Sequence, residues 1–425
     1  MIKHAVFKLF PILVCRRAQI KEVNFPKRVE ELKENILPEV QVLEEAIISD
    51  EKELIHLERY IDETDVVLLY KPKLGLGSCV KRIIEFNRPV ILFNKIGSVW
   101  TPLDALECVY PRTNIWVAVD YEDINSRIKS LEAKKKINNT RLLILNADYP
   151  HWEGWLSCIR GGINAIEERF GIKVEYIQSD EVIRRWQGIK KERSKIVAEK
   201  WMKGAEKIIE PQKDDIELVA RLYLVMKDLL SEKSAQGLTM AYGDDPLPVP
   251  CFAYTKLRDE GIPSACEADI TSLILMSILH YLVDKPSFMG NILVDPQNNV
   301  LRITHCVAPT KMAGYDKAPH SYILRDQHWG PPKGVLSAFV PMSLDQKVTI
   351  CRLDGELKNM VVTNGEITAC QDLREHCRVT VDLRINDVKK FIHRASGNHH
   401  IMVYGDYREK LKELNKLFEI TTVEV

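Results

Sequence analysis

The stretch Ile270–Leu282 constrains the fold more than any other. Ile270, Leu273, Ile274, Leu275, Met276, Ile278, Leu279 and Leu282 leave no polar face at helical spacing. A helix that is apolar all round has to be enclosed by protein. The residues ahead of it therefore sit inside the molecule or in a cleft. They include Cys266, Glu267 and Asp269, which follow a turn at Gly261 and Pro263. Carboxylates there gain from the helix dipole and from the free N–H groups of the first turn, and capping is one reading of Asp269. A second stays open. An unpaired buried carboxylate is costly, so two acids at a hidden helix end suit metal binding or proton transfer.

Around that helix the chain falls into three zones. In residues 1–139, short apolar runs alternate with charged, helix-like segments. Ala5–Cys15 reads as a first strand, not a signal peptide, because Lys8 interrupts it and Arg16 and Arg17 follow. Asp65–Tyr70 and Pro89–Asn94 read as buried strands, with a helix over Cys79–Phe86 between them. Such alternation favours a parallel sheet covered on both faces. The run Lys134–Lys136, followed by Asn138 and Asn139, reads as a solvated boundary. Residues 140–287 repeat the pattern, with strands over Arg141–Asn146, Lys173–Ile177 and Gly237–Tyr242. A helical region runs from Ser179 to Glu232, interrupted near Pro211. Residues 288–425 change to short β-like runs: Val300–His305, Val348–Leu353, Met360–Val362, Val379–Leu383 and Ile401–Tyr404. Many short strands with turn signals predict a barrel or sandwich.

Composition narrows the function. Lys and Arg total 60 and are balanced by 60 Asp and Glu, which gives no electrostatic case for nucleic acid as a partner. No stretch has the roughly 20 uncharged apolar residues that a membrane span needs. The ten cysteines contain no CxxC pair and no regular spacing. That fits reduced thiols in a cytoplasmic protein better than disulfides or a zinc knuckle.

Further candidates lie downstream. His305 ends a β-like run, where it is either a structural group or a ligand. Gly397 and Asn398 form a turn, and His399 and His400 open the next strand. Alternation sends the two imidazoles to opposite faces, so at most one of them points into a given pocket. His328 and Trp329 share a loop that suits either stacking on a sugar or plain packing. The glycines of Leu74–Ser78 make a tight turn or a phosphate cradle.

Together these segments resemble the L-fucose/L-arabinose isomerase superfamily. Cys266–Asp269 (CEAD), the apolar helix and Lys285–Asn291 (KPSFMGN) look like its E-G-D, helix, G-x-P-x-x-F-x-D block, without a gap between Glu267 and Asn291. Gly397–His400 (GNHH) resembles its C-terminal ligand segment. The resemblance spans about 240–406; the earlier residues support it only through their α/β character. It implies an α/β fold: two Rossmann- or flavodoxin-like domains (1–139 and 140–287) and a C-terminal β-barrel domain (288–425), with the cleft at their junction. It also implies a divalent metal, Mn²⁺, held by Glu267, Asn291, His305 and His399, with His400 the alternative to His399. Mixed oxygen and nitrogen donors suit that ion. Glu267, with Asp269, would move a proton between C1 and C2 of a small sugar through an enediol. Asn398, His400, His328 and Trp329 would contact the substrate, and a homo-oligomer would complete the cleft.

The chain departs from the family at Asn291, where the fucose branch has Asp and the arabinose branch Glu. An amide can bind a metal but cannot serve as a base. Either Asp269 or Asp295 replaces the lost carboxylate, or the chemistry differs. Epimerisation, carbon–carbon transfer on a sugar, and non-catalytic sugar binding are the competing readings.

Overall fold

The computed structural model describes residues 6–72, 75–94, 114–148, 159–241, 246–326, 336–373 and 375–425. The chain divides into two compact units, Met1–Lys134 and Lys135–Val425.

In the first unit the apolar runs become six strands: β1 (Phe7–Val14), β2 (Val40–Val42), β3 (Ala46–Ile48), β4 (Val66–Tyr70), β5 (Val90–Phe93) and β6 (Ile115–Ala118). All pair in parallel, in the order β2-β1-β4-β5-β6, with β3 also on β1. Counting β2 and β3 as one interrupted strand gives the 2-1-3-4-5 order of a flavodoxin-like sheet. Every residue of β4 and β5 is buried, as in parallel strands covered on both faces. The lysine run 134–136, expected as a solvated boundary, lies inside the helix Tyr121–Asn138, and the division between the two units falls within it. Ile124, Ile128 and Leu131 are buried at helical spacing, as is Ile137 beyond the lysines, so the apolar stripe carries the helix through.

The second unit opens with β7 (Arg141–Leu145), β8 (Lys173–Ile177), β9 (Lys207–Ile208), β10 (Gly237–Met240) and β11 (Ser264–Ala265). Four of these form a parallel sheet in the order β11-β10-β7-β8. The expected long helical region is three helices, Ser179–Gly188, Lys191–Gly204 and Lys213–Glu232. There follow β12 (Phe288–Asp295), β13 (Val300–His305), β14 (Ile323–Arg325), β15 (Ser337–Phe339), β16 (Lys347–Leu353), β17 (Asn359–Gln371), β18 (Val379–Ile385), β19 (His399–Tyr404) and β20 (Thr421–Glu424). β9, β14 and β15 make a small separate sheet.

Antiparallel pairing runs β16-β19-β12-β13-β18-β17 and returns from β17 to β16, which closes a six-stranded barrel. β20 adds to β17 in parallel. Two glycines sit where strands change partner. At Gly290, β12 passes from β19 to β13, and a Cβ would lie 2.5 Å from Ile303 Cγ2. At Gly365, β17 passes from β16 to β18, and a Cβ would lie 2.9 Å from Ile385 Cγ2 and 3.0 Å from the Arg384 carbonyl. Barrel corners of this kind need a residue without a side chain.

The helix Ile270–Val283 packs against β10 and β11 of the sheet and against β16 and β19 of the barrel. Two apolar neighbours explain why it has no polar face. Ile270 through Leu279 are buried without exception. Among the described residues no helix is long and apolar enough to cross a membrane, and the eight described cysteines are all free thiols.

The corner at Gly365 yields a stability prediction. Gly365→Ala overpacks it and costs about 1–3 kcal/mol, read from denaturant unfolding. A variant as stable as the parent would mean the corner has room for a methyl group.

Candidate active site

Asp269 is the N-cap of the Ile270–Val283 helix and only 2% exposed. Its Oδ1 accepts the Ser272 amide (2.9 Å). Its Oδ2 accepts the Ser272 hydroxyl (2.8 Å), Arg352 Nη1 (2.9 Å) and His399 Nδ1 (3.0 Å). Burial alone would raise the pKa of this carboxyl. The Arg352 charge, the contact with His399 and the Ser272 amide outweigh it and hold the group well below the usual carboxylate range. Both oxygens are thus engaged as acceptors, which suits an orienting group better than a mobile base.

Glu267 sits differently. β11 ends at Ala265, and the next residues form a tight hook. The Ala268 amide donates to the Met240 carbonyl (3.1 Å), and the Asp269 amide to Cys266 (3.0 Å). Glu267 and Ala268 both take the left-handed conformation, at φ 57° and 54°, which costs an L-residue about 1–2 kcal/mol each. The hook leaves the Glu267 side chain 36% exposed, against 2% for Asp269. It also lies just past the carboxyl end of a parallel strand, the edge where open α/β sheets bind ligands.

The barrel supplies the imidazoles. His399 opens β19, is 1% exposed, and directs Nε2 toward Glu267 Oε2 at 3.6 Å. The His305 ring stands 5.4 Å from that of His399, centroid to centroid. One ligand atom each of Cys266, Glu267 and His305 lie within 4.8 Å of one another. His305 Nδ1 accepts the Cys306 amide (2.9 Å).

Asn291 pairs directly opposite His399 across β12 and β19, and its Oδ1 accepts Asn398 Nδ2 (2.6 Å). Asp295 lies at the far end of β12, about 13 Å along the strand, where it accepts the amides of Gln297 and Asn298. That fastens the turn into β13 and keeps Asp295 away from His399. The His400 ring packs on Phe391 (5.2 Å), and its Nδ1 faces the Asn398 carbonyl (3.3 Å). Burial, and then the Arg352 charge, push its pKa down to about 3, so it is neutral at pH 7. The structure thus brings Glu267, Asp269, His305 and His399 together, sets Asn291 and Asn398 side by side next to them, and turns His400 to other neighbours. His328 and Trp329 lie outside the described residues.

Three residues were not singled out from sequence alone. Arg352 joins Asp269 to the Ser396 carbonyl (3.0 Å), just ahead of the His399 segment. Arg258 donates to the Ser264 carbonyl (2.8 and 2.6 Å) and to the Val307 carbonyl. It clamps the segment before Glu267 to the one after His305. Cys266 is the third. A buried arginine gives no periodic signal. The available hint was a single charge inside an otherwise uncharged strand, Val348–Leu353.

Asp269→Asn leaves Arg352 buried without its carboxylate and lowers stability by about 3–5 kcal/mol at pH 7; adding Arg352→Met restores part of this. The folded-state pKa lies below the unfolded one. The contribution of this carboxylate is therefore complete above about pH 4 and fades as pH falls toward the folded value. Thermal melts on acidification should drop more steeply for the parent than for Asp269→Asn. Parallel curves would contradict the ion pair.

No family model matches the sequence. The chain is similar to a sulfoquinovose isomerase of Alkalicoccus urumqiensis, at 22% identity over 283 residues, or 61% of this chain and 60% of that protein. A sulfoquinovose isomerase of Priestia megaterium matches at 25% identity over 188 residues, 41% of this chain and 39% of the relative. The chain thus spans less than two thirds of either relative. Among solved structures, a D-allose-bound periplasmic solute binding protein from Actinobacillus succinogenes is 14% identical over 64% of this chain and 91% of its own, at a TM-score of 0.19, too low to bear on the fold.

Proposed function

We propose that this chain is a sugar isomerase that interconverts an aldose and a ketose with the help of a divalent metal. The observation that carries the reading is His399 held between two carboxylates. Asp269 Oδ2 accepts a hydrogen bond from Nδ1–H at 3.0 Å, so Nε2 offers its lone pair toward Glu267 Oε2 at 3.6 Å. Two electron-rich atoms face one another there unless a proton or a cation lies between them. A carboxylate orienting an imidazole whose other nitrogen binds a metal is a recurrent arrangement. The donor chemistry therefore fits a metal, held by Glu267, His399 and His305, with the Asn291 amide beside them. When bound, such an ion polarises the sugar carbonyl and acidifies the adjacent hydroxyl.

The chain's own groups do the rest. Glu267, partly exposed at the strand end, carries the proton between C1 and C2. Asp269 acts through His399, fixing its tautomer and ring plane, and so is a positioning residue. Arg352 keeps Asp269 ionised and ties it to the Ser396–His399 turn. Asn398 and Asn291 present a joined pair of amides to a sugar hydroxyl. The likeness to sulfoquinovose isomerases supports the same class of reaction and makes sulfoquinovose the first sugar to test. Assembly into a homo-oligomer belongs to the same proposal.

Asn291 favours a second reading. With Glu267 as the one exposed carboxylate among these residues, epimerisation or carbon–carbon transfer would need the same metal and the same proton removal.

Incubating the purified chain with Mn²⁺ and candidate aldoses in heavy water tests both. Deuterium at C2 with ketose appearing supports the isomerase; deuterium without ketose supports the second reading. Glu267→Gln should lower exchange by roughly 10²–10⁴-fold with little change in melting temperature. Unchanged exchange in that variant would remove Glu267 from the chemistry.

A further inference from the structure

The groups around Glu267 include one donor that a Mn²⁺ site does not call for. Cys266 is fully buried, and its Sγ, a Glu267 oxygen and a His305 ring nitrogen lie within 4.8 Å of one another. The three come from two layers. Cys266 and Glu267 follow β11 of the parallel sheet, and His305 ends β13 of the barrel. His399 adds its Nε2, 3.6 Å from Glu267. A buried cysteine ordinarily behaves as a small apolar group and packs among others. This one has Met289 beside its amide, and its Sγ also lies against a carboxylate and an imidazole. Arg258 holds that arrangement by bonding the carbonyls of Ser264 and Val307, each two residues from a member of the cluster.

We infer that Cys266 is itself a metal ligand, completing a set of Cys266, Glu267, His305 and His399 that selects a borderline-soft divalent ion of the zinc type over Mn²⁺. Charge supports it. A thiolate and a carboxylate neutralise a dication, and two neutral imidazoles fill the set without adding charge. Burying such an assembly is far less costly than burying an unbalanced one. Donor type supports it too, because thiolate and imidazole favour zinc and its neighbours, whereas Mn²⁺ prefers oxygen. Metal binding would then release the thiol proton to solvent, with a Cys266 sulfur–metal bond formed in its place. The inference rests on the metal reading above and is tested separately from it.

The test uses the purified chain, stripped with chelator and titrated with Co²⁺. The expected result is one Co²⁺ per chain, with intense near-ultraviolet thiolate-to-cobalt absorption beside the weak visible bands. Cys266→Ser should abolish the near-ultraviolet band, keep the visible bands, and shrink the preference for Zn²⁺ over Mn²⁺ in competition by roughly tenfold or more. Cys306 lies beside Cys377 and close to this cluster, so Cys306→Ser is the control and should retain the band. Co²⁺ bound without a thiolate band in the parent overturns the inference and leaves the metal reading standing. A band lost in Cys306→Ser but kept in Cys266→Ser also overturns it. A parent chain that binds no Co²⁺ overturns both. The parent spectrum decides even where a variant fails to fold.

Discussion

The Asp269 carboxylate is the constraint on which the second unit depends. It is buried, ionised and shared among the helix Ile270–Val283, Arg352 on β16 and His399 on β19. Leaving such a charge unpaired costs several kcal/mol, so the three elements must arrive together. Sheet and barrel are therefore joined by a charge as well as by the apolar helix between them. The same bond sets which nitrogen of His399 carries a proton, and with it what His399 can do toward Glu267. Packing and chemistry meet in one side chain.

Against that fixed point Glu267 is held under strain. Two successive left-handed L-residues cost about 1–2 kcal/mol each, and the neighbouring order offsets the cost: the Ala268 amide bonds the Met240 carbonyl at the end of β10, the Asp269 amide bonds Cys266 within the hook, and Ile270 through Leu279 beyond are buried. Backbone strain of this sort persists where the surroundings over-determine it. Its result is a division of labour between acids two residues apart. One is sealed in and orients an imidazole; the other is turned out at the end of a parallel strand.

The barrel contributes geometry more than chemistry. Gly290 lets β12 change partners beside Asn291 and His399, so a glycine needed for curvature also brings three strands together at the site. Arg258 does the same for the sheet side, tying the approach to Cys266 to the departure from His305. None of the atoms of Arg258 or Gly290 is a plausible reactant, yet the spacing of the donors depends on both.

Much of this was legible in the amino-acid order. Period-two and continuous apolar runs marked β4, β7, β8, β13 and most of the barrel, because side-chain burial on a strand is written directly into sequence. The all-apolar helix announced a buried end carrying Glu267 and Asp269, and neighbouring histidines announced that only one of them faces a given side. What the order could not express was partnership. Whether Asp269 caps, pairs or moves protons depends on Arg352 and His399, more than eighty residues away, and nothing local records that distance being closed. The lysine run 134–136 coincides with the division between the two units, yet it does not end the helix Tyr121–Asn138, because burial at Ile128, Leu131 and Ile137 outweighs surface charge. Cys266 looked like any small buried residue until folding set a carboxylate and an imidazole against it. Sequence determines which residues must be hidden, since hydrophobic burial is read one residue at a time. Only tertiary structure decides which hidden polar groups share a space, because their charges and hydrogen bonds must be satisfied across the whole chain at once.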